Sequence, residues 1–296
     1  MTTFFSQLIA GISIGSLLLL IALGLTFTFG QMNVINMAHG EFIAAGAYTV
    51  YVIQGLFAAS MTGAAFLISL PVAFVVAGLM GVLLEMTLIK RLYGRPLDTL
   101  LVTWGVSLML QQLYRDLFGA PNVQVKAPGW LQGGFSVGSV DVSYTRLFIV
   151  GLVLVALAAI WVFSVKTVHG TRMRAVVQNR SLAEASGIAT QPVDRTTFFI
   201  GSGLAGIAGV GITLLGSIGP SLGTNYIIDA FLVVVVGGLG QLRGAVIAAF
   251  VLGILNSYIE FKTDASLAKV IVFAIIIAFL QFRPQGLAVQ KTRSFA

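Results

Sequence analysis

The chain has 296 residues, of which 57% are hydrophobic and 9% charged, whereas a soluble domain carries roughly 25% charged residues. So few charges cannot coat the chain against water, and a mean hydropathy of +0.98 agrees, which excludes an all-soluble protein. The net charge of +7 comes from Lys and Arg in short gaps between apolar runs. It reads as the positive-inside bias of membrane proteins, not as a nucleic-acid surface.

Apolar stretches run near 7–29, 40–57, 62–89, 99–118, 146–165, 197–218, 226–242, 245–259 and 269–282. A spanning helix needs about 20 apolar residues, and the alternation of a membrane barrel is absent. The pattern predicts an all-α integral membrane protein. It is a polytopic bundle of about 8–9 membrane segments with interrupted or re-entrant helices and a candidate internal repeat, in one membrane domain over 1–296. The first stretch has no Lys or Arg before Lys90, so it reads as a membrane helix and not as a cleaved signal.

The first interruption is GQMNVINMAHGEF, Gly30 to Phe42, with Asn33, Asn36, His39 and Glu41 between two apolar stretches. Polar groups at membrane depth are costly unless they face protein or a water-filled path. Asn36 is expected to cap a helix starting near Met37. If 40–57 crosses the membrane, the N-terminus is outside; if it is re-entrant, the N-terminus is inside.

The basic gaps are Lys90 to Arg95, Lys166 to Arg195, and the tail with Arg283, Lys291 and Arg293. They belong to the cytoplasm, which puts the C-terminus there. Segments 119–145 and 260–268 are mixed in sign and suit the outer side, with Arg243 in a brief inner turn. The loop at 166–196 is expected to carry an amphipathic helix over Arg172–Gly187, ended by Gly187, able to meet lipid headgroups or a partner's groove.

The second interruption is GPSLGTNYIIDAF, Gly219 to Phe231, followed by GGLGQLRG. Asn225 and Asp229 are expected to flank the start of a new helix, much as Asn33 and Asn36 do, and Asp229 needs a partner or the outer surface. Paired breaks of this kind point to a transport site. Asn33, Asn36, His39, Glu41, Asn225 and Asp229 are the candidate lining of such a path.

Other chemistry is poorly supported. GSGLAG, Gly201 to Gly206, fits a dinucleotide fingerprint but follows no strand; its small residues suit close helix packing, as do Gly11 with Gly15 and Gly240 with Gly244. No Gly-Lys pair and hence no Walker A sequence occurs, and two distant histidines without any cysteine make a poor metal set. The chain is expected to be no enzyme and to bind no cofactor or metal. A passive channel for a small solute and an intramembrane hydrolase are the competing classes.

GQMNVINMAHGEF, AEASGI, NYIIDAFLVVVVGGLGQLRGAV and RPQGL together resemble the permeases of branched-chain amino-acid ABC importers, the LivH type, over essentially the whole chain. FGQMNVINMAHGEF, RPLDTLLVTWGVSLMLQQ, RAVVQNRSLA and GPSLGTNYIIDAF look closest to the urea branch of that family, the UrtB type. The resemblance implies a permease domain in a bacterial inner membrane, with a second permease subunit of similar fold, a periplasmic substrate-binding protein, and cytoplasmic ATPase subunits that use the ATP. It makes the 166–196 loop the site of a coupling helix, with Arg172, Arg174, Glu184, Ala185 and Gly187 meeting the ATPase. Ser186 follows Glu184 and Ala185, a departure from the common EAA-type coupling pattern. The resemblance also implies urea or a short amide as the solute on the path above, where Asn and carboxylate groups match its donors and acceptor; the alternative within the family is a branched-chain amino-acid permease.

Overall fold

In the computed structural model, residues 2–32, 34–138 and 140–288 are described. The apolar stretches become helices α1 (Thr2–Met32), α2 (His39–Leu56), α3 (Thr62–Thr87), α4 (Pro96–Phe118) and α5 (Tyr144–Lys166). Two short helices follow, α6 (Val168–Gln178) and α7 (Arg180–Ala185), and then α8 (Thr190–Ile212), α9 (Leu222–Gly237), α10 (Leu242–Lys262) and α11 (Ala265–Phe282). Among the described residues, six helices are long and apolar enough to cross a membrane, and α9 is a shorter apolar one.

One departure from an all-α chain is a hairpin of β1 (Gly134–Val137) and β2 (Val140–Ser143), paired antiparallel with Phe135 opposite Val142. Its FSV and VDVS runs alternate in polarity, the two-residue period that a strand requires.

Helices α1 and α8 form the buried centre, and α8 packs against α1, α2 and α3. Its glycines permit this. A methyl group at Gly201 would meet the Gly24 carbonyl of α1, and one at Gly206 would meet the Ala73 carbonyl of α3; one at Gly46 of α2 would strike the Gly206 backbone. Gly11 and Gly15 likewise lie against Ile254, Ala249 and Phe250 of α10. Small residues at these crossings let backbones touch, and dispersion replaces a hydrophobic drive that lipid does not supply. The close-packing reading of these glycine runs is what the structure contains.

The bundle has two distinct ends. At one, the Tyr258 hydroxyl donates to the Phe4 carbonyl at 2.7 Å, Gln54 bonds the backbone of Lys126, and Val123 pairs with Ile218. At the other, Tyr93 meets Arg180, Arg195 meets Glu85, and Leu287 N–H donates to the Val236 carbonyl at 2.8 Å. The N-terminal segment therefore lies at the end opposite the basic gaps. Helix α2 begins inside the bundle, where His39 packs against Gly24 and Ile21 of α1, and runs out to the end holding Gln54 and Lys126.

Three sequence expectations change. The helix after the first break starts at His39, with Ala38 at the N-cap position and no side-chain cap; Asn36 offers only its carbonyl to His39 N–H, at 3.4 Å. Its side chain is buried in the bundle and does not fold back. The Arg172–Gly187 helix is two helices, because Asn179 is extended (φ −160°, ψ 104°) and its Oδ1 accepts from Leu182 N–H at 2.9 Å, capping a new start. Finally, α8 already begins at Thr190, so the expected 166–196 loop closes there.

Gly46→Ala is expected to destabilise the bundle by about 1–3 kcal/mol through overpacking. Gly55→Ala, where an added methyl group meets nothing, should leave stability unchanged. Thermal unfolding of the detergent-purified variants checks the pair.

Candidate functional site

The first break is held by a stripe on α4. Thr99, Thr103, Ser107 and Gln111 recur every four residues and so share one face. The Thr103 hydroxyl accepts from Met37 N–H at 3.0 Å and donates to the Thr99 carbonyl at 2.7 Å. Ser107 Oγ donates to Glu41 Oε1 at 2.8 Å, and Gln111 Nε2 donates to the same oxygen at 3.1 Å. The Gln111 amide also donates to Thr224 Oγ1 of α9, at 2.8 Å, and the Tyr114 hydroxyl donates to the Glu41 carbonyl at 2.8 Å. The sequence signal for these residues is a polar stripe at helical spacing on an otherwise apolar helix.

Among the described residues, four buried polar atoms at positions 36–41 lack a partner: Asn36 Oδ1 and Nδ2, His39 Nδ1 and Glu41 Oε2. The other His39 nitrogen, Nε2, lies 3.3 Å from the Ile21 carbonyl and donates to it, which leaves Nδ1 as an acceptor. Each unmet buried group costs about 1–3 kcal/mol. Their concentration over positions 36–41 sets this region apart from the surrounding apolar core. Asn33 lies outside the described residues.

The two breaks do meet. Gly40 and Gly223 are in backbone contact, and Gly30 touches Gly240, so α9 lies alongside the first break. The predicted site residues nevertheless divide into two groups. Asn225 and Asp229 lie within α9, which starts at Leu222 and not after Asn225, because the turn at Gly219–Ser221 ends earlier than the polar spacing suggests. They line a cavity of about 700 Å³ between α1, α9, α10 and α11. Asp229 Oδ2 lies 3.6 Å from Lys269 Nζ of α11, which is the partner its position demanded. Asn256 and Glu260 of α10 add polar groups, whereas Leu17, Leu18, Leu252 and Val272 supply an apolar lining.

At the basic end, Arg172 and Arg174 on α6 are exposed, while Met173 and Val176 are buried against the bundle. Glu184 and Ala185 on α7 and Gly187 just beyond it are also exposed, with Leu182 64% exposed. Gly187 takes φ +82°, and Ile188 N–H bonds back to the Ala183 carbonyl at 3.0 Å, the left-handed stop its position predicts. Residues not singled out in the sequence hold this elbow in place: Arg180, Asp194, Glu85, Tyr93 and Arg195 form a connected set of ion pairs and hydrogen bonds. Glu85, the sole charge within the apolar run 62–89, was the clue, since an acid there needs a partner.

Two glycine motifs take helical contexts. GSGLAG lies inside α8, with no strand before it. GISIG, Gly11 to Gly15, has the GxSxG spacing of a hydrolase elbow, but it lies inside α1, and both glycines face α10.

A model of the branched-chain amino acid transport system / permease component family matches residues 7–280. The chain is 28% identical to the high-affinity branched-chain amino acid transport system permease protein BraD of Pseudomonas aeruginosa, covering 96% of this chain and 95% of that one. It is 30% identical to the probable branched-chain amino acid transport permease protein LivH of Methanocaldococcus jannaschii, over 92% and 88%. It is 29% identical to LivH of Escherichia coli K12, over 96% and 95%. No solved structure matches the chain. This multi-pass membrane protein belongs to the permease-component family of branched-chain amino acid ABC transport systems.

Proposed function

We propose that the chain is the permease subunit through which an importer moves an amino acid with an aliphatic side chain, driven by ATP hydrolysed on partner subunits. The observation that carries the choice of solute is the cavity beside α9. Its volume of about 700 Å³ is within the roughly 300–1,000 Å³ usual for small-molecule sites. An amino-acid ammonium group fits the Asp229 and Glu260 side, its carboxylate fits Lys269 and Asn225, and an aliphatic side chain fits Leu17, Leu18, Leu252 and Val272. Urea, the solute to which the sequence resemblance pointed, has no apolar part to cover that lining. The named relatives transport branched-chain amino acids, which favours the same choice.

The polar groups left unpaired at Asn36, His39 and Glu41 form a second station on the path, reached when α9 shifts against Gly40. We assign the basic end to the cytoplasm by the positive-inside rule, with nine crossings and the N-terminus outside. Arg172, Arg174, Glu184, Ala185 and Gly187 then face the ATPase subunits. A second permease subunit and a periplasmic binding protein complete the assembly, and the exposed apolar faces of α4 and α11 meet lipid.

In reconstituted complexes, leucine, isoleucine or valine should compete for ATP-dependent uptake more strongly than urea or short amides; dominant competition by urea reverses the assignment. Asp229→Asn and Lys269→Met should each raise the apparent KM for uptake about tenfold, close to 1.4 kcal/mol, while the complex still assembles. Glu41→Ala should lower uptake with assembly intact, and unchanged uptake would remove Glu41 from the path. Arg172→Glu with Arg174→Glu should reduce co-purification of the ATPase subunits.

A further inference from the structure

Arg180 joins the elbow of α6 and α7 to the body of the protein, together with the buried Met173 and Val176 and a bond from the Thr190 hydroxyl to Glu184 at 2.8 Å. Arg180, the first residue of α7, grips Asp194 of α8 with two bonds, Nη2 to Oδ2 at 2.6 Å and Nη1 to Oδ1 at 3.2 Å. Nη2 also donates to Thr190 Oγ1 at 3.1 Å, and Nε lies 3.4 Å from Glu184. Two parallel bonds to a carboxylate fix direction as well as distance, so α7 and the start of α8 move together.

The guanidinium also lies 5.0 Å from the centre of the Tyr93 ring, within cation–π range. Tyr93 belongs to the segment between α3 and α4. Its hydroxyl donates to Glu85 Oε1 of α3 at 3.0 Å and lies 3.7 Å from Met32 Sδ. Glu85 in turn faces Arg195 of α8 at 3.7 Å. Burial, with the nearby carboxylates of Asp194 and Glu85, pushes the Tyr93 hydroxyl above its usual range, so it remains a proton donor throughout the neutral range.

Met32 is the last residue of α1, and the chain beyond it leads into the break that holds Asn36, His39 and Glu41. One rigid ring therefore touches the elbow on one side and the start of the break on the other. Glu85 and Asp194 are each about 1% exposed, and separating a buried charge from its partner is costly. The linked set consequently resists coming apart and favours moving as a unit.

We propose that Tyr93 is a positioning residue that transmits displacement of the α6–α7 elbow to the end of α1, and so to the break at 32–39. This rests on the reading that the elbow meets the ATPase. The test uses the complete complex in liposomes, with ATP hydrolysis and leucine uptake measured in the same vesicles. Tyr93→Phe keeps the ring beneath Arg180 and removes the hydroxyl. ATP hydrolysis should stay within about twofold, while solute moved per ATP falls at least fivefold (order-of-magnitude expectations from the modest coupling energies of such networks).

Glu85→Gln, whose amide oxygen still accepts the hydroxyl bond, should retain more of that ratio than Tyr93→Phe. If Tyr93→Phe does not assemble, Met32→Ala cuts the same link from the α1 side and should show the same loss. An unchanged ratio of uptake to hydrolysis in the assembled variant overturns the proposal, as does a parallel loss of both activities. Failure of the ATPase-contact reading is visible separately, as undiminished co-purification in the Arg172→Glu, Arg174→Glu variant.

Discussion

Backbone contact around α8 is the constraint on which the remaining geometry depends. In lipid, helices gain nothing by hiding apolar side chains from one another, so association relies on close packing. Glycines at 24, 46, 201 and 206 bring α1, α2 and α8 together at distances that side chains would forbid. That approach places His39 against Ile21 and holds the start of α2 within the bundle, away from either end. Without it, the first break would have no fixed depth.

Given that placement, α4 supplies what the break itself lacks. Residues 34–38 are not helical, so their backbone groups need partners from elsewhere, as irregular backbone at membrane depth must. Thr103 serves Met37, while Ser107 and Gln111 hold one oxygen of Glu41. Gln111 also reaches Thr224, so α9 is joined to the same network. Among the described residues, the other Glu41 oxygen, both polar atoms of Asn36 and one His39 nitrogen remain unmatched. The break is thus satisfied around its rim and unsatisfied at its centre.

The basic end has a different character. Its exposed arginines on α6 decorate the surface, while Arg180, Asp194, Glu85 and Arg195 are internal cross-braces between segments distant in sequence. The same charge type therefore does two jobs there. Exposed charges are screened and adjustable, whereas the two-point Arg180–Asp194 pair fixes α7 against α8, and the longer Arg195–Glu85 contact faces α8 to α3.

Composition and hydropathy by themselves determined that the protein lives in a membrane, where its helices lie, and which gaps are basic, because those properties depend on local sequence alone. The glycine runs likewise announced close packing, and Gly187 announced a helix stop. The resemblance of GQMNVINMAHGEF and its companion motifs located the family. Tertiary structure decided the rest. Asn36 and Asn179 are the same residue type, yet Asn36, the expected cap, is buried in the bundle, while Asn179, inside a stretch expected as one helix, caps α7. Asp229 needed a partner that sequence could not choose, and only the packing of α11 against α9 brought Lys269 to it. The cavity beside Asp229 is made by four helices at once. No single segment carries its shape, since a site's chemistry is local but its volume belongs to the fold.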